Sequence, residues 1–148
     1  MKKSMLFGLS AILFVIGALT LRSTSNAQEK AKMHRIVFEV NVEGKDPWNA
    51  VLNNVENLQK AFGKDSTQIE VVAHGNGLNL LVAAATPVAD RLKTVSDSGV
   101  ILAACENTMR RKMVKKEELL PFATTVPSGV AEVVLKQEAG WSYIKGGF

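Results

Sequence analysis

The only cysteine of the 148-residue chain, Cys105, is the residue whose type and position best suit chemistry. It follows a short, unbroken apolar run, Val100–Ala104, which is typical of a strand buried on both faces, so Cys105 is expected at the carboxyl end of that strand. A helix that begins near Asn107 would point its free N–H groups back toward the sulfur, with Arg110 one turn further on. These features favour the thiolate, whereas Glu106 opposes it. A small buried residue that only ends a strand is the alternative, because free cysteine is among the most buried residue types.

A histidine at the end of the preceding strand is the second candidate. Residues 68–74 have the pattern of a strand that ends at His74 and is followed by Gly75, Asn76 and Gly77. Because the carboxyl ends of parallel strands meet at one edge of a sheet, His74 and Cys105 are expected to face one crevice, where the imidazole would lower the thiol pKa or shuttle a proton. A histidine hydrogen-bonded within the turn is the alternative. The turn lacks the third glycine of a dinucleotide fingerprint and the lysine of a P-loop, so nucleotide or anion binding is a lesser alternative.

The rest of the pattern predicts the elements that position these two residues. Strand patterns alternate with helix patterns along the chain, with short loops between them, which is typical of parallel α/β sheets. The predicted strands cover 35–42, 68–74, 100–104, 122–126 and 141–144, and the predicted helices cover 46–62, 86–97, 107–113 and 129–139. The sequence therefore predicts an α/β fold: a single three-layer domain with a mainly parallel sheet of about five strands and helices on both faces.

Two of these helices carry finer predictions. In the first helix, Asp46 is expected to be the N-cap residue, directly before a proline in the first turn. In the last helix, Ser128 is expected to be the cap, and Val130, Val133 and Val134 are expected to form the buried stripe.

The first 27 residues are set aside as an export signal. Lys2 and Lys3 precede an almost wholly apolar stretch, Met5–Leu21, and the small residues Ser25 and Ala27 stand where cleavage would occur. An uncleaved N-terminal anchor is the alternative, since the stretch approaches the length of a spanning helix. We therefore predict a domain over residues 28–148 that is exported, to the periplasm or outside the cell, and that meets a membrane only through this segment if it stays uncleaved.

Charge and cysteine content exclude several function classes. The full chain carries 18 basic and 14 acidic side chains, but residues 1–27 hold three of the basic ones and none of the acidic ones, which leaves the mature domain near neutrality. Such a domain has no electrostatic case for binding nucleic acid. One cysteine cannot form an internal disulfide, and with two histidines in no ligand spacing a metal site is not expected. No cofactor is predicted.

Five segments in register along the mature chain resemble the DsrE/DsrF-like family. They are Leu52-Asn-Asn-Val-Glu-Asn57, Val72-Ala-His-Gly-Asn-Gly-Leu78, Ala104-Cys-Glu-Asn-Thr-Met109, Val126-Pro-Ser-Gly-Val-Ala-Glu132 and Lys136-Gln-Glu-Ala-Gly-Trp-Ser-Tyr-Ile144. The resemblance implies a compact α/β domain that assembles into homotrimers or hexamers. In better-understood members a cysteine carries sulfur as a persulfide and passes it between proteins. The resemblance assigns that role to Cys105 and makes His74, Gly75 and Asn107 residues that line the site.

These observations lead to a functional prediction with an alternative of another class. The leading prediction is a sulfur carrier, sulfurtransferase-like if it is an enzyme, in which Cys105 accepts a sulfane sulfur from a donor and gives it to a thiol of a partner protein. Asn76 and Arg110 are predicted to line the same site. The alternative is an oligomeric binding or scaffold module in which the cysteine is structural, and in which Trp141 and Tyr143 on an edge strand make subunit contacts.

Overall fold

Five parallel strands form one sheet in the computed structural model, which describes residues 32–147. The strands are β1 (His34–Val40), β2 (Thr67–Ala73), β3 (Ile101–Cys105), β4 (Thr124–Val126) and β5 (Ser142–Gly146), and the α-helices are α1 (Lys45–Phe62), α2 (Ala89–Asp97), α3 (Glu106–Lys112) and α4 (Gly129–Glu138). Short 3-10 helices cover Lys64–Ser66, Gly75–Leu81 and Lys116–Glu118. The predicted export signal over residues 1–27 falls outside the described residues. No helix within residues 32–147 is long and apolar enough to cross a membrane.

The strand order, β4-β3-β2-β1-β5, explains why helices cover both faces. From β1 to β4 the chain moves in one direction across the sheet, and α1, α2 and α3 pack on one face. From β4 the chain returns past three strands to reach β5, and the connecting helix α4 lies on the other face. Because parallel crossovers are almost always right-handed, reversing the direction of travel moves the helix to the opposite face. The predicted three-layer α/β fold is confirmed.

The two faces bury very different amounts of apolar surface. Alternation along β1 directs Ile36, Phe38 and Val40 to the face covered by α1, where they join a large cluster of buried side chains. On the face covered by α4, the buried cluster consists of Val37, Val72, Ala103 and Val133. Since a fully buried aliphatic side chain contributes about 1.5–3 kcal/mol, most of the hydrophobic stabilisation comes from the first face.

The helix α4 turns apolar side chains toward solvent as well as toward the sheet. Val133 is buried as predicted, but Val130 and Val134 are 57% and 45% exposed, so the prediction of a three-valine buried stripe is wrong. Residues 130 and 134 are one turn apart and share the side of α4 that faces away from the sheet, together with the exposed Leu135. The predicted cap is confirmed, because the Ser128 side chain accepts a hydrogen bond from the first turn of the helix.

The first helix differs from the prediction in its cap. Gly44 is the N-cap residue of α1, and Asp46 lies inside the first turn, so the prediction that Asp46 caps the helix is wrong. In this position its carboxylate still faces the positive end of the helix dipole. Further along, Arg91 of α2 donates hydrogen bonds to Asn49 and Asn53 at 2.7 and 2.9 Å, which joins the polar side of α1 to α2.

A buried ion pair fixes α4 to the sheet. The Lys136 ammonium is 2.5 Å from the carboxylate of Glu70 and lies over the ring of Trp141, and Glu70 is almost completely buried. Burial raises the pKa of Glu70 above its ordinary value, although the charge of Lys136 acts in the opposite direction. Burial lowers the pKa of Lys136, but Glu70 and Glu132 outweigh it and leave the pKa raised.

Candidate functional site

Cys105 lies at the point where the connections of the sheet change face. The chain leaves β3 at Cys105 and enters α3 on one face, whereas it leaves the neighbouring strand β4 at Val126 and enters α4 on the other face. In an open parallel sheet this arrangement opens a crevice at the carboxyl ends of the two strands, and ligands commonly bind there. The N–H of Asn107 donates to the carbonyl of Pro127 at 3.3 Å and ties the starts of the two helices together.

Hydrogen-bond donors from both helix starts surround the sulfur of Cys105. Cys105 is only 4% exposed and is the N-cap residue of α3, but its thiol closes no short capping hydrogen bond. Burial raises the pKa of the thiol. The hydroxyl of Thr108 and the backbone N–H groups of Gly129, Thr108 and Asn107 act against burial and leave the pKa below its ordinary value. Such donors bind a thiolate more strongly than a thiol, so they favour the ionised form.

Thr108 connects this donor set to the turn after β2. Its buried hydroxyl oxygen accepts a hydrogen bond from the N–H of Gly75 at 3.1 Å, and the same hydroxyl is among the groups that lower the pKa of Cys105. Gly75 has φ +55°, a left-handed conformation that glycine adopts without strain, and this conformation directs its N–H toward Thr108. One threonine side chain therefore contacts the predicted His-Gly turn and also influences the ionisation of the cysteine.

Glu39 and Tyr143 form a hydrogen-bond network with His74. Glu39 lies on β1, and its Oε1 is 2.8 Å from Nε2 of His74, while its Oε2 accepts a hydrogen bond from the hydroxyl of Tyr143 on β5. Burial raises the pKa of Glu39, but it is outweighed by hydrogen bonds from Tyr143 and His74, by the charge that His74 carries when it is protonated and by the charge of Lys145, so the pKa lies below its ordinary value. The hydrogen bond to Glu39 raises the pKa of Tyr143 to about 12. At neutral pH, Glu39 is therefore ionised and Tyr143 protonated.

Gly129 allows α4 to begin directly over His74 and Cys105. A β-carbon at position 129 would lie 2.9 Å from Cβ of His74 and 3.1 Å from Cβ of Cys105, closer than side-chain carbons normally approach. It would also lie 3.3 Å from a methyl carbon of Val72. Only glycine fits here without displacing its neighbours, and its presence brings the first N–H of α4 to the sulfur. The same contacts show that His74 and Cys105 are immediate neighbours on this face of the sheet.

The remaining predicted site residues lie further from the sulfur. Asn107 contributes its backbone N–H, but its side-chain oxygen accepts a hydrogen bond from Arg110. The Arg110 guanidinium also pairs with Glu106 at 3.9 Å, so the structure places this arginine on the solvent side of α3 rather than against the thiol. Asn76 is exposed, and its side-chain oxygen lies 3.5 Å from the ammonium of Lys112.

Sequence reasoning missed four residues of this site. Thr108 stands three positions after Cys105, a spacing that brings side chains together on a helix and that could have revealed it. Glu39, Tyr143 and Gly129 lie on elements far from Cys105 in sequence, so only the strand order and the helix placement could bring them to the site. Within residues 32–147, no group of three or more His, Cys, Asp or Glu side chains is arranged to hold a metal ion.

Comparisons with known proteins agree with this architecture. The model of the DsrE/DsrF-like family matches residues 12–145. A protein of unknown function from Methanobacterium thermoautotrophicum, MTH1491, is similar at 31% identity with a TM-score of 0.72, over 76% of this chain and 98% of that chain. The ychN protein from E. coli shares the fold, with a TM-score of 0.59 and 9% identity over 77% of this chain and 98% of that chain. No curated protein matches the sequence. As the five segments predicted, the chain belongs to the DsrE/DsrF-like family.

Proposed function

We propose that this protein is a sulfur carrier in which Cys105 holds a sulfane sulfur as a persulfide and passes it to an acceptor thiol. The observation that carries the proposal is the set of donors around the sulfur: the Thr108 hydroxyl and N–H groups from the starts of α3 and α4 lower the thiol pKa although the residue is buried. A structural cysteine needs no such donors, because a neutral thiol packs as a small apolar group. Sulfur relay is also the role of better-understood members of the family.

The chemistry needs only a thiolate and a sulfane sulfur donor. The Cys105 thiolate attacks the outer sulfur of a donor persulfide or polysulfide, a new S–S bond forms at Sγ, and the donor leaves as a thiolate that keeps the electron pair of the broken bond. The sulfur is transferred without net oxidation, so no further redox partner is required. Because the donors around Sγ stabilise its negative charge, they favour both the attacking thiolate and the thiolate released when the sulfur is passed on.

Intact mass spectrometry tests this proposal. The purified protein is measured before and after exposure to polysulfide, alongside Cys105→Ala and Cys105→Ser. We expect a gain of one sulfur atom that a reductant reverses and that neither variant shows. An unmodified wild-type mass, with Cys105 resistant to alkylation until the protein unfolds, would overturn the proposal.

A second candidate function is favoured by the outward face of α4. Val130, Val134 and Leu135 are exposed together on this helix, and contiguous apolar side chains on a surface commonly mark a protein–protein contact. In this alternative the protein is an oligomeric binding module, and Cys105 is structural.

We also propose, from the family and from this face, that the protein is a homo-oligomer, a trimer or a hexamer, and from the N-terminal sequence that it is exported. Size-exclusion chromatography with light scattering measures the first of these properties.

A further inference from the structure

One ring nitrogen of His74 is hydrogen-bonded to a carboxylate, and the other is available to accept a proton. Nε2 is 2.8 Å from Oε1 of the ionised Glu39, so Nε2 must carry hydrogen and donate it. When the ring is neutral, Nδ1 therefore holds the lone pair, and it makes no hydrogen bond with residues 32–147. No buried side-chain nitrogen or oxygen in this part of the protein lacks a partner, so Nδ1 reaches solvent. In its neutral form, an imidazole that is oriented by a carboxylate and has one accessible nitrogen is suited to act as a base.

The strand register places His74 beside the cysteine. Ala73 on β2 pairs with Ala104 on β3, so the next residues, His74 and Cys105, are neighbours across adjacent strands at the carboxyl edge of the sheet. A side chain at Gly129 would touch the β-carbons of both. An S–S bond places the outer sulfur of a persulfide about 2 Å beyond Sγ, so an acceptor does not have to reach the buried Sγ itself.

We infer that His74 is the base that deprotonates the acceptor thiol during sulfur transfer, with Glu39 and Tyr143 as the residues that position it. The inference rests on the proposed sulfur-carrier function, and it assigns a base to the step in which the sulfur passes from Cys105 to the acceptor thiol. Glu39 fixes the tautomer and orientation of the imidazole, and the Tyr143 hydroxyl holds the other carboxylate oxygen, which fixes Glu39 in turn.

The transfer step balances with these groups alone. The acceptor thiol gives its proton to Nδ1 of His74, and the resulting thiolate attacks the outer sulfur of the Cys105 persulfide. The bond between the two persulfide sulfurs breaks, and its electron pair stays on Sγ of Cys105 as a thiolate. The acceptor leaves as a persulfide, and the imidazolium releases its proton to solvent. The sulfane sulfur keeps its oxidation state throughout, so no oxidant or reductant takes part.

The charges around His74 suit this proton transfer. The ionised Glu39 faces Nε2, and the departing thiolate of Cys105 lies on the neighbouring strand, so negative charges flank the imidazolium that forms. Tyr143 faces Glu39 as a neutral hydroxyl, since its raised pKa keeps it protonated. Lys145 on β5 carries a positive charge that lowers the pKa of Glu39.

Acceptor thiols of different acidity test this inference. Wild-type protein and His74→Gln are loaded with polysulfide, the gain of one sulfur is verified by intact mass, and the loss of that mass is followed at pH 7 with two acceptors. The first is 2-mercaptoethanol, which is mostly protonated at this pH, and the second is 2-nitro-5-thiobenzoate, which is already a thiolate. A base accelerates only the first reaction. We expect His74→Gln to slow transfer to 2-mercaptoethanol about 100-fold, at the low end of general-base effects, and to leave transfer to the ionised thiol within about twofold.

Variants on the same hydrogen-bond network and a matched control complete the experiment. Glu39→Gln keeps the size of the side chain and removes its charge, so it should show a smaller loss with the same dependence on acceptor ionisation. His34→Gln replaces the other histidine, which stacks on Phe62 at the opposite end of β1, and should leave both rates unchanged. Equal slowing with both acceptors in His74→Gln, or no slowing with either, would overturn the role of His74. Wild-type protein that takes up no sulfur would instead overturn the proposed function.

Discussion

Replacing Thr108 with valine removes a hydroxyl that accepts a hydrogen bond from Gly75 and that lowers the pKa of Cys105. Valine keeps the shape of the side chain but can neither accept from the N–H of Gly75 nor donate to the sulfur of Cys105. A fully buried N–H that loses its partner costs about 1–3 kcal/mol, and since Gly75 is only partly buried, the free energy of unfolding should fall by no more than that amount. A hydrogen bond to a charged group is worth about 1.5–3 kcal/mol, and 1.36 kcal/mol corresponds to one pKa unit, so at a given pH below the pKa the thiolate-to-thiol ratio of Cys105 should fall by a factor of about 10 to 100.

Two measurements on the native protein test this prediction. Urea unfolding gives the change in stability, and the ultraviolet absorbance of the thiolate, followed against pH, gives the ionised fraction of Cys105. In the wild type the thiolate should appear below pH 9.0, the ordinary pKa of a cysteine thiol, because the donors lower its pKa. In Thr108→Val the titration should move upward, toward that value. Thr108→Ser retains the hydroxyl and is the matched control, with a titration close to that of the wild type.

The possible results distinguish the two roles of the Thr108 hydroxyl, namely its hydrogen bond from Gly75 and its effect on the pKa of Cys105. A Thr108→Val protein that loses stability but titrates like the wild type would refute the assignment of Thr108 as a donor to the sulfur. A protein that titrates upward without losing stability would show that the N–H of Gly75 finds water in place of the hydroxyl. If neither property changes, the argument from burial and hydrogen bonding at this site is wrong.

Two further variants probe the packing of α4. Gly129→Ala places a methyl group 2.9 Å from Cβ of His74, so urea unfolding should show a loss of about 1–3 kcal/mol, and a variant as stable as the wild type would mean that α4 shifts easily over the sheet. Lys136→Met leaves Glu70 as an unpaired buried carboxylate and should cost about 3–5 kcal/mol at pH 7. The pKa of Glu70 is raised in the folded protein, so this cost should shrink as the pH falls and the carboxyl becomes neutral. Lys93→Met, which breaks an exposed pair, should cost less than about 1 kcal/mol, and equal losses in the two lysine variants would contradict the importance of burial.

The alternation of strands and helices was predictable because each element carries its own periodic pattern. The strand that holds Cys105 and the first helix are found within one or two residues of the predicted positions. The burial of α4 was not predictable, because a valine stripe gives the same pattern whether it faces the sheet or solvent. Val130 and Val134 are exposed because a single helix covers this face of the sheet, and nothing among residues 32–147 packs against its outer side.

The candidate site was predictable only where local sequence patterns determine the positions of its members. Cys105 and His74 each end a strand, and a parallel sheet brings strand ends together, so their proximity follows from local patterns. Glu39 contacts His74, and Tyr143 contacts Glu39, because β1 lies between β2 and β5, and the sequence does not determine that order. Arg110 was predicted to favour the thiolate by its charge, but Glu106 and Asn107 engage it, and oriented N–H groups fill that role instead.

The strand order also determines when this site forms as the protein folds. Strands β1 to β4 pair with their neighbours in sequence, whereas β5 pairs with β1, and the hydrogen bond from Tyr143 to Glu39 spans 104 positions. Contacts between distant residues form slowly, because the entropy of closing the intervening loop must be overcome first. The sheet from β1 to β4 can therefore assemble, with His74 and Cys105 side by side, while Glu39 still lacks its second partner. The hydrogen-bond network of the candidate site is therefore completed only when β5 has been synthesised and has paired with β1.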